Sequence, residues 1–184
     1  SVDEILRKVK EELDRVLEEV TEIHRKAKEE LDRAHDTSER IHREVKRELD
    51  RVREEVERQG VPEEVLRRIE EIVRKLKEEN DKVLDDSRKK VEKLKRENDR
   101  VLEEIKEIVD EVKKRLDELR ERGIDEKVVK EVVDEVRKVV EEIRKKSKDS
   151  VDKTKRVVEE SIRTSDEVVK KTEKLVREIE KEVR

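Results

Sequence analysis

Gln59-Gly60-Val61-Pro62-Glu63 is the stretch that decides the fold, because its pattern returns as Arg122-Gly123-Ile124-Asp125-Glu126. Each reads glycine, β-branched residue, proline or aspartate, then glutamate. Glycine suits the left-handed position that follows a helix end. Proline and aspartate suit the start of the next helix. The chain of 184 residues has only two Gly and one Pro, and all three lie in these stretches. They cut it into thirds of nearly equal length. The expectation is three helices, near 2–58, 62–121 and 125–183, each ~85 Å long at 1.5 Å per residue. Ser1 with Glu4 forms a capping box at the first helix start.

Working outward, the first helix carries an 18-residue repeat. Ile5-Leu6-Arg7 recurs as Ile23-His24-Arg25 and Ile41-His42-Arg43, and Glu12-Leu13-Asp14-Arg15 recurs as Glu30-Leu31-Asp32-Arg33 and Glu48-Leu49-Asp50-Arg51. In the second third, Lys75-Leu76-Lys77 and Glu79-Asn80-Asp81 return as Lys93-Leu94-Lys95 and Glu97-Asn98-Asp99. Eighteen residues make five turns, so each copy returns to the same helix face. The apolar stripe of helix 1 (2, 5, 6, 9, 13, 16, 17, 20 and onward) fills an arc of ~120°. One broad stripe on each of three helices closes a bundle without leaving a second apolar face. Its period is 3.6 rather than 3.5, so the expected bundle is straight rather than supercoiled. The short connections impose up-down-up order. The fold class is therefore all-α: one antiparallel three-helix bundle, read as a single domain over 1–184.

Charged residues make up 59% of the chain, against roughly 25% in an ordinary globular domain. Phe, Tyr, Trp, Cys and Met are all absent. The alphabet is Leu, Ile and Val inside, with Glu, Lys, Arg and Asp outside. Both signs of charge are mixed along the length and the net charge is −4. That pattern gives no basic stripe and no stacking aromatics, so a nucleic-acid partner is not expected. No apolar run approaches the ~18 residues of a membrane span, and interfacial aromatics are missing. No cysteine means no disulfide and no thiol chemistry. No targeting signal is legible, and the composition does not indicate a compartment.

Polar residues interrupt the stripes at core phase: His24, His35, Ser38 and His42 in helix 1; Asn80, Ser87 and Asn98 in helix 2; Ser147, Ser150, Thr154, Ser161, Ser165 and Thr172 in helix 3. Register arithmetic links them. Facing residues of an antiparallel pair share a constant index sum, and His24 with Asn98, His35 with Ser87 and His42 with Asn80 all share 122. Half of that value falls in the first loop. Helix 3 runs parallel to helix 1, so partners there differ by a constant. His24 with Ser147, Ser38 with Ser161 and His42 with Ser165 all differ by 123. One set (His24, Asn98, Ser147, Thr154) maps onto another (His42, Asn80, Ser165, Thr172) by a shift of 18 residues, forward on helices 1 and 3 and backward on helix 2. Between them lies a third group of His35, Ser87, Ser161 and Ser38. Histidine, amide and hydroxyl groups can satisfy one another's hydrogen bonds. A slipped register would bury them unpaired at about 1–3 kcal/mol each.

These residues and repeats resemble the de novo designed helical bundles that carry buried hydrogen-bond networks, and the resemblance covers the whole chain. It implies a structural scaffold with no natural biochemical function, whose polar layers specify helix register. His24, His35 and His42 also resemble histidines placed in such networks to weaken an assembly at low pH. That use would make the chain a pH-responsive or helix-exchanging module, with a helical partner or self-association. The monomer reading stands first, with no partner required.

Catalytic and metal readings are weaker. His35 and His42 stand two turns apart, ~10 Å along the axis, and one ion needs ligands near 2 Å. Ser147 and His24 are neighbours by register, but a slender packed bundle supplies no pocket and no oxyanion hole. Asp81 and Asp99 flank the asparagines at exposed phase and read as a solvated face. The expectation is no enzyme, no catalytic residues, no metal and no cofactor.

Overall fold

The computed structural model describes residues 1–183. They form three helices, α1 (Val2–Arg58), α2 (Glu63–Arg122) and α3 (Glu126–Val183), with no strand among them. The helix bounds lie within one residue of those read from the sequence, and all three helices pack together as an all-α bundle.

The ends show why. Gly60 and Gly123 hold φ of 68° and 73°, the left-handed region that side chains with a Cβ disfavour. The Gly123 amide donates back to the carbonyls of Leu119 and Arg120 at 3.2 and 3.3 Å, and the Gly60 amide to that of Glu57 at 3.3 Å. These bonds occupy carbonyls that a helix end leaves open. Asp125 Oδ1 accepts from the Val128 amide at 2.9 Å, and Ser1 Oγ from the Glu4 amide at 3.4 Å. Both are side-chain caps on the third helical residue. Pro62 sits one residue ahead of α2, where its carbonyl accepts from Val65 and Leu66 at 3.0 and 3.1 Å. It has no amide to leave unpaired there.

Side chains gather into two compact units, each drawing a segment from all three helices. The first comprises Ser1–Glu29 and Leu94–Lys155. Leu6, Leu13, Val16 and Val20 of α1 pack there with Ile105, Val109 and Leu116 of α2 and with Val136, Val140 and Ile143 of α3. The second comprises Glu30–Lys93 and the part of α3 from Arg156. Its core joins Val45, Leu49, Val52 and Val56 to Ile69 and Val73 and to Val176 and Ile179.

Antiparallel pairing of α1 with α2 is visible at the rim of each unit. In the first, Lys10–Asp117 and Lys113–Asp14 approach to 2.5 and 2.7 Å. In the second, Lys46–Asp81 approach to 2.7 Å and Lys77 also meets Asp50. Going up α1 always means going down α2. Such exposed pairs contribute little stability, about 0–1 kcal/mol each; their value here is that they mark the register.

Candidate functional site: the buried polar layers

In the first unit His24, Asn98, Ser147, Ser150 and Thr154 are all buried, none more than 6% exposed. His24 Nε2 lies 3.1 Å from Ser147 Oγ. Asn98 is held on both sides of its amide. Its Oδ1 accepts from Ser150 Oγ at 2.5 Å, and its Nδ2 donates to Thr154 Oγ1 at 3.1 Å. Thr154 in turn donates to the Ser150 carbonyl at 3.2 Å. The result is a closed ring that locks an α2 side chain onto one turn of α3. Lys28 caps it at the surface, 3.0 Å from Asp99.

The second unit holds the shifted copy, but it is wired differently. Asn80 Nδ2 donates to the His42 backbone carbonyl at 3.1 Å. Ser165 turns to Ser38 at 3.1 Å, not to His42. Ser38 also meets Ser161 at 2.9 Å, and Ser161 meets Ser87 at 3.3 Å. Four hydroxyls from all three helices thus form a chain, Ser87, Ser161, Ser38, Ser165. Each hydroxyl can donate once and accept twice, so the chain can be satisfied throughout. His42, Asn80 and Thr172 are buried. Both ring nitrogens of His42, and Asn80 Oδ1, are buried without a protein hydrogen-bond partner.

One substitution in the repeat accounts for the Asn80 vacancy. Ser150 supplies the donor to Asn98 Oδ1. Eighteen residues later the chain has Val168, which has none to give Asn80. The His42 vacancy has a second cause. Ser38 has no hydroxyl counterpart beside His24, since the corresponding position one repeat earlier is Val20. Ser147 therefore has His24 as its partner, whereas Ser165 has Ser38.

The expected pair of His35 with Ser87 is not formed. Both are only partly buried. His35 Nε2 lies 3.2 Å from Glu39 Oε1 on its own helix, and Ser87 bonds Ser161. A glutamate one turn along the same helix reaches the ring at no cost in register, so the intrahelical contact wins. Asp81 and Asp99, read from sequence as a solvated face, are exposed but paired across to Lys46 and Lys28. The signal was legible: Lys28 and Lys46 follow the same 18-residue step as the aspartates.

Burial governs the electrostatics. It disfavours imidazolium and pulls the pKa of both His24 and His42 below the ordinary 6.5. Contacts with Asn98 and Asn80, and the charges of Asp99 and Asp81, oppose the shift without reversing it. At neutral pH both rings are uncharged. The Ser147–His24 pair brings a hydroxyl to a basic nitrogen, but both are sealed from solvent at 3% and 1% exposure. No group of three or more His, Asp or Glu able to hold a metal ion occurs among the described residues.

No protein-family model, curated protein or solved structure matches the chain. No helix among the described residues is long and apolar enough to cross a membrane.

Proposed function

We propose that this chain is a designed structural scaffold, without a reaction or cofactor of its own, in which repeated polar layers specify how the helices are registered. The closed ring of Asn98, Ser150 and Thr154 carries this reading. It places a fully buried amide where a shift or rotation of α2 against α3 would leave donor and acceptor unpaired. An apolar core would tolerate such shifts, because Leu, Ile and Val exchange neighbours at little cost. The restricted alphabet, the copied loops and the 18-residue step of the polar set support a design origin. The proposed state is a monomer that needs no partner to fold.

The test is a variant with Asn98→Leu, Ser147→Val, Ser150→Val and Thr154→Val together with His24→Leu. Its melting point should equal or exceed the parent's, since well-packed apolar groups replace buried polar ones. Its amide NMR spectrum should show broadened or multiple peaks for α2 and α3 where the parent shows one set. A single sharp set in both proteins refutes the register role.

A second reading has its own observation: His42 is buried with neither ring nitrogen bonded. Protonating it inside the unit would place an unpaired charge in the core. On this reading the bundle loosens in mild acid.

A further inference from the structure

We propose that the polar layer of the second unit is a binding site for one internal water molecule, which bridges His42 Nε2 to Asn80 Oδ1. The first unit supplies the comparison. There Ser147 Oγ meets His24 Nε2, and Ser150 Oγ donates to Asn98 Oδ1. In the second unit Ser165 bonds Ser38, and Val168 stands where Ser150 would recur. Two hydroxyl partners are thereby lost. The two atoms they would serve, His42 Nε2 and Asn80 Oδ1, are left without a protein partner. Nδ1 is unpartnered in both rings, so it does not distinguish the layers. His42 and Asn80 are each 2% exposed, so bulk solvent does not serve these atoms either.

Water is the smallest molecule that replaces both hydroxyls at once. One O–H donates to Asn80 Oδ1. The other donates to His42 Nε2 when that nitrogen carries the lone pair; when it carries the proton, the water oxygen accepts. Either tautomer is served. Ordering such a water costs less than stranding two buried polar atoms. Asn80 lies beside the ring, its side chain and backbone opposing the downward pull of burial on the His42 pKa, but the ring nitrogens meet it outside hydrogen-bond geometry. The layer also adjoins solvent. Thr172, buried in the same unit, lines a cleft of about 550 Å³ together with Ile41 and Val45. Other occupants fit worse. An apolar ligand leaves both atoms unpaired, and no group of three or more His, Asp or Glu able to hold a metal ion occurs among the described residues. The assignment concerns what fills this layer and stands apart from whether the layers set helix register.

Oxygen-17 relaxation dispersion of the full chain at neutral pH tests it, because that signal reports long-lived internal water and is blind to exchanging hydroxyl protons. The variant carrying His42→Leu and Asn80→Leu removes both partners and should lose the contribution of one water relative to the parent. His24→Leu, in a layer already closed by hydroxyls, should lose none. An amplitude that the double variant leaves unchanged, or an equal loss in His24→Leu, overturns the proposal. A high-resolution crystal structure of the unaltered chain is a second test that requires no variant to fold. It should show a water roughly 2.7–3.2 Å from both His42 Nε2 and Asn80 Oδ1. A ring bonded directly to Asn80 or Ser165, or a water that reaches only one of the two atoms, overturns it as well.

Discussion

Asn98 and Asn80 occupy equivalent positions in the repeat and meet opposite fates, which makes them an internal comparison. Each is buried, and each uses its Nδ2. Only Asn98 Oδ1 has a donor, from Ser150. Ser150→Val should therefore cost about 1–3 kcal/mol in urea unfolding, because it strands a buried carbonyl oxygen. Val168→Ser should behave differently from an ordinary core truncation. Val168 is only partly buried, and a new hydrogen bond worth about 1 kcal/mol would offset much of the lost apolar area. Its stability should stay within about 1 kcal/mol of the parent. A neutral Ser150→Val would show that the ring around Asn98 contributes nothing. The contrast between 150 and 168 can be read from the sequence. What cannot be read there is that Ser165 prefers Ser38 to His42, or that His35 finds Glu39. Rotamer choice among several partners within reach is decided by local distances of a few tenths of an ångström, which a register sum does not contain.

At the scale of elements the helix ends were the most legible feature, because glycine, proline and aspartate act through backbone geometry that needs no tertiary context. Gly60 and Gly123 have nothing within 4 Å of where a Cβ would stand. An alanine there meets no neighbour, and its cost comes from the positive φ alone. Gly60→Ala and Gly123→Ala should each lower stability by about 1–2 kcal/mol, measured by denaturant midpoint. Asp125→Ala should cost about 1 kcal/mol through loss of the cap on Val128. If Gly60→Ala is neutral, the first connection is not held in the left-handed form. The apolar stripes were legible for a similar reason: a period of five turns in 18 residues leaves each helix one buried face, and the burial of Leu6, His24 and His42 at successive copies of one position follows it. The cleft of the second unit was not legible, since it depends on how closely two parallel helices approach.

For the whole molecule, the consequence of burying neutral histidine is a dependence on acid. The folded-state pKa of His24 and His42 lies below the unfolded value of 6.5. Above that value both states are neutral and stability is full. As pH falls below it, the unfolded chain takes up protons that the folded chain does not, so stability declines until the folded-state pKa is reached. The urea midpoint at pH 5 should be lower than at pH 7.5, and replacing both rings with glutamine should flatten the difference. An unchanged midpoint in the parent would remove the histidines from any switching role.

The central claim, that buried polar layers hold the helices in one register, meets its most direct test in spin-label distances. The chain has no cysteine, so labels can be placed at Lys8→Cys on α1 and Lys138→Cys on α3 without interference; both sites are exposed and lie in the first unit. The expected result is a single narrow distance distribution in the parent and a broad or multiple one once His24, Asn98, Ser147, Ser150 and Thr154 are made apolar. An equally narrow distribution in the apolar variant would contradict it, and would mean that the loops and aliphatic packing set the register on their own.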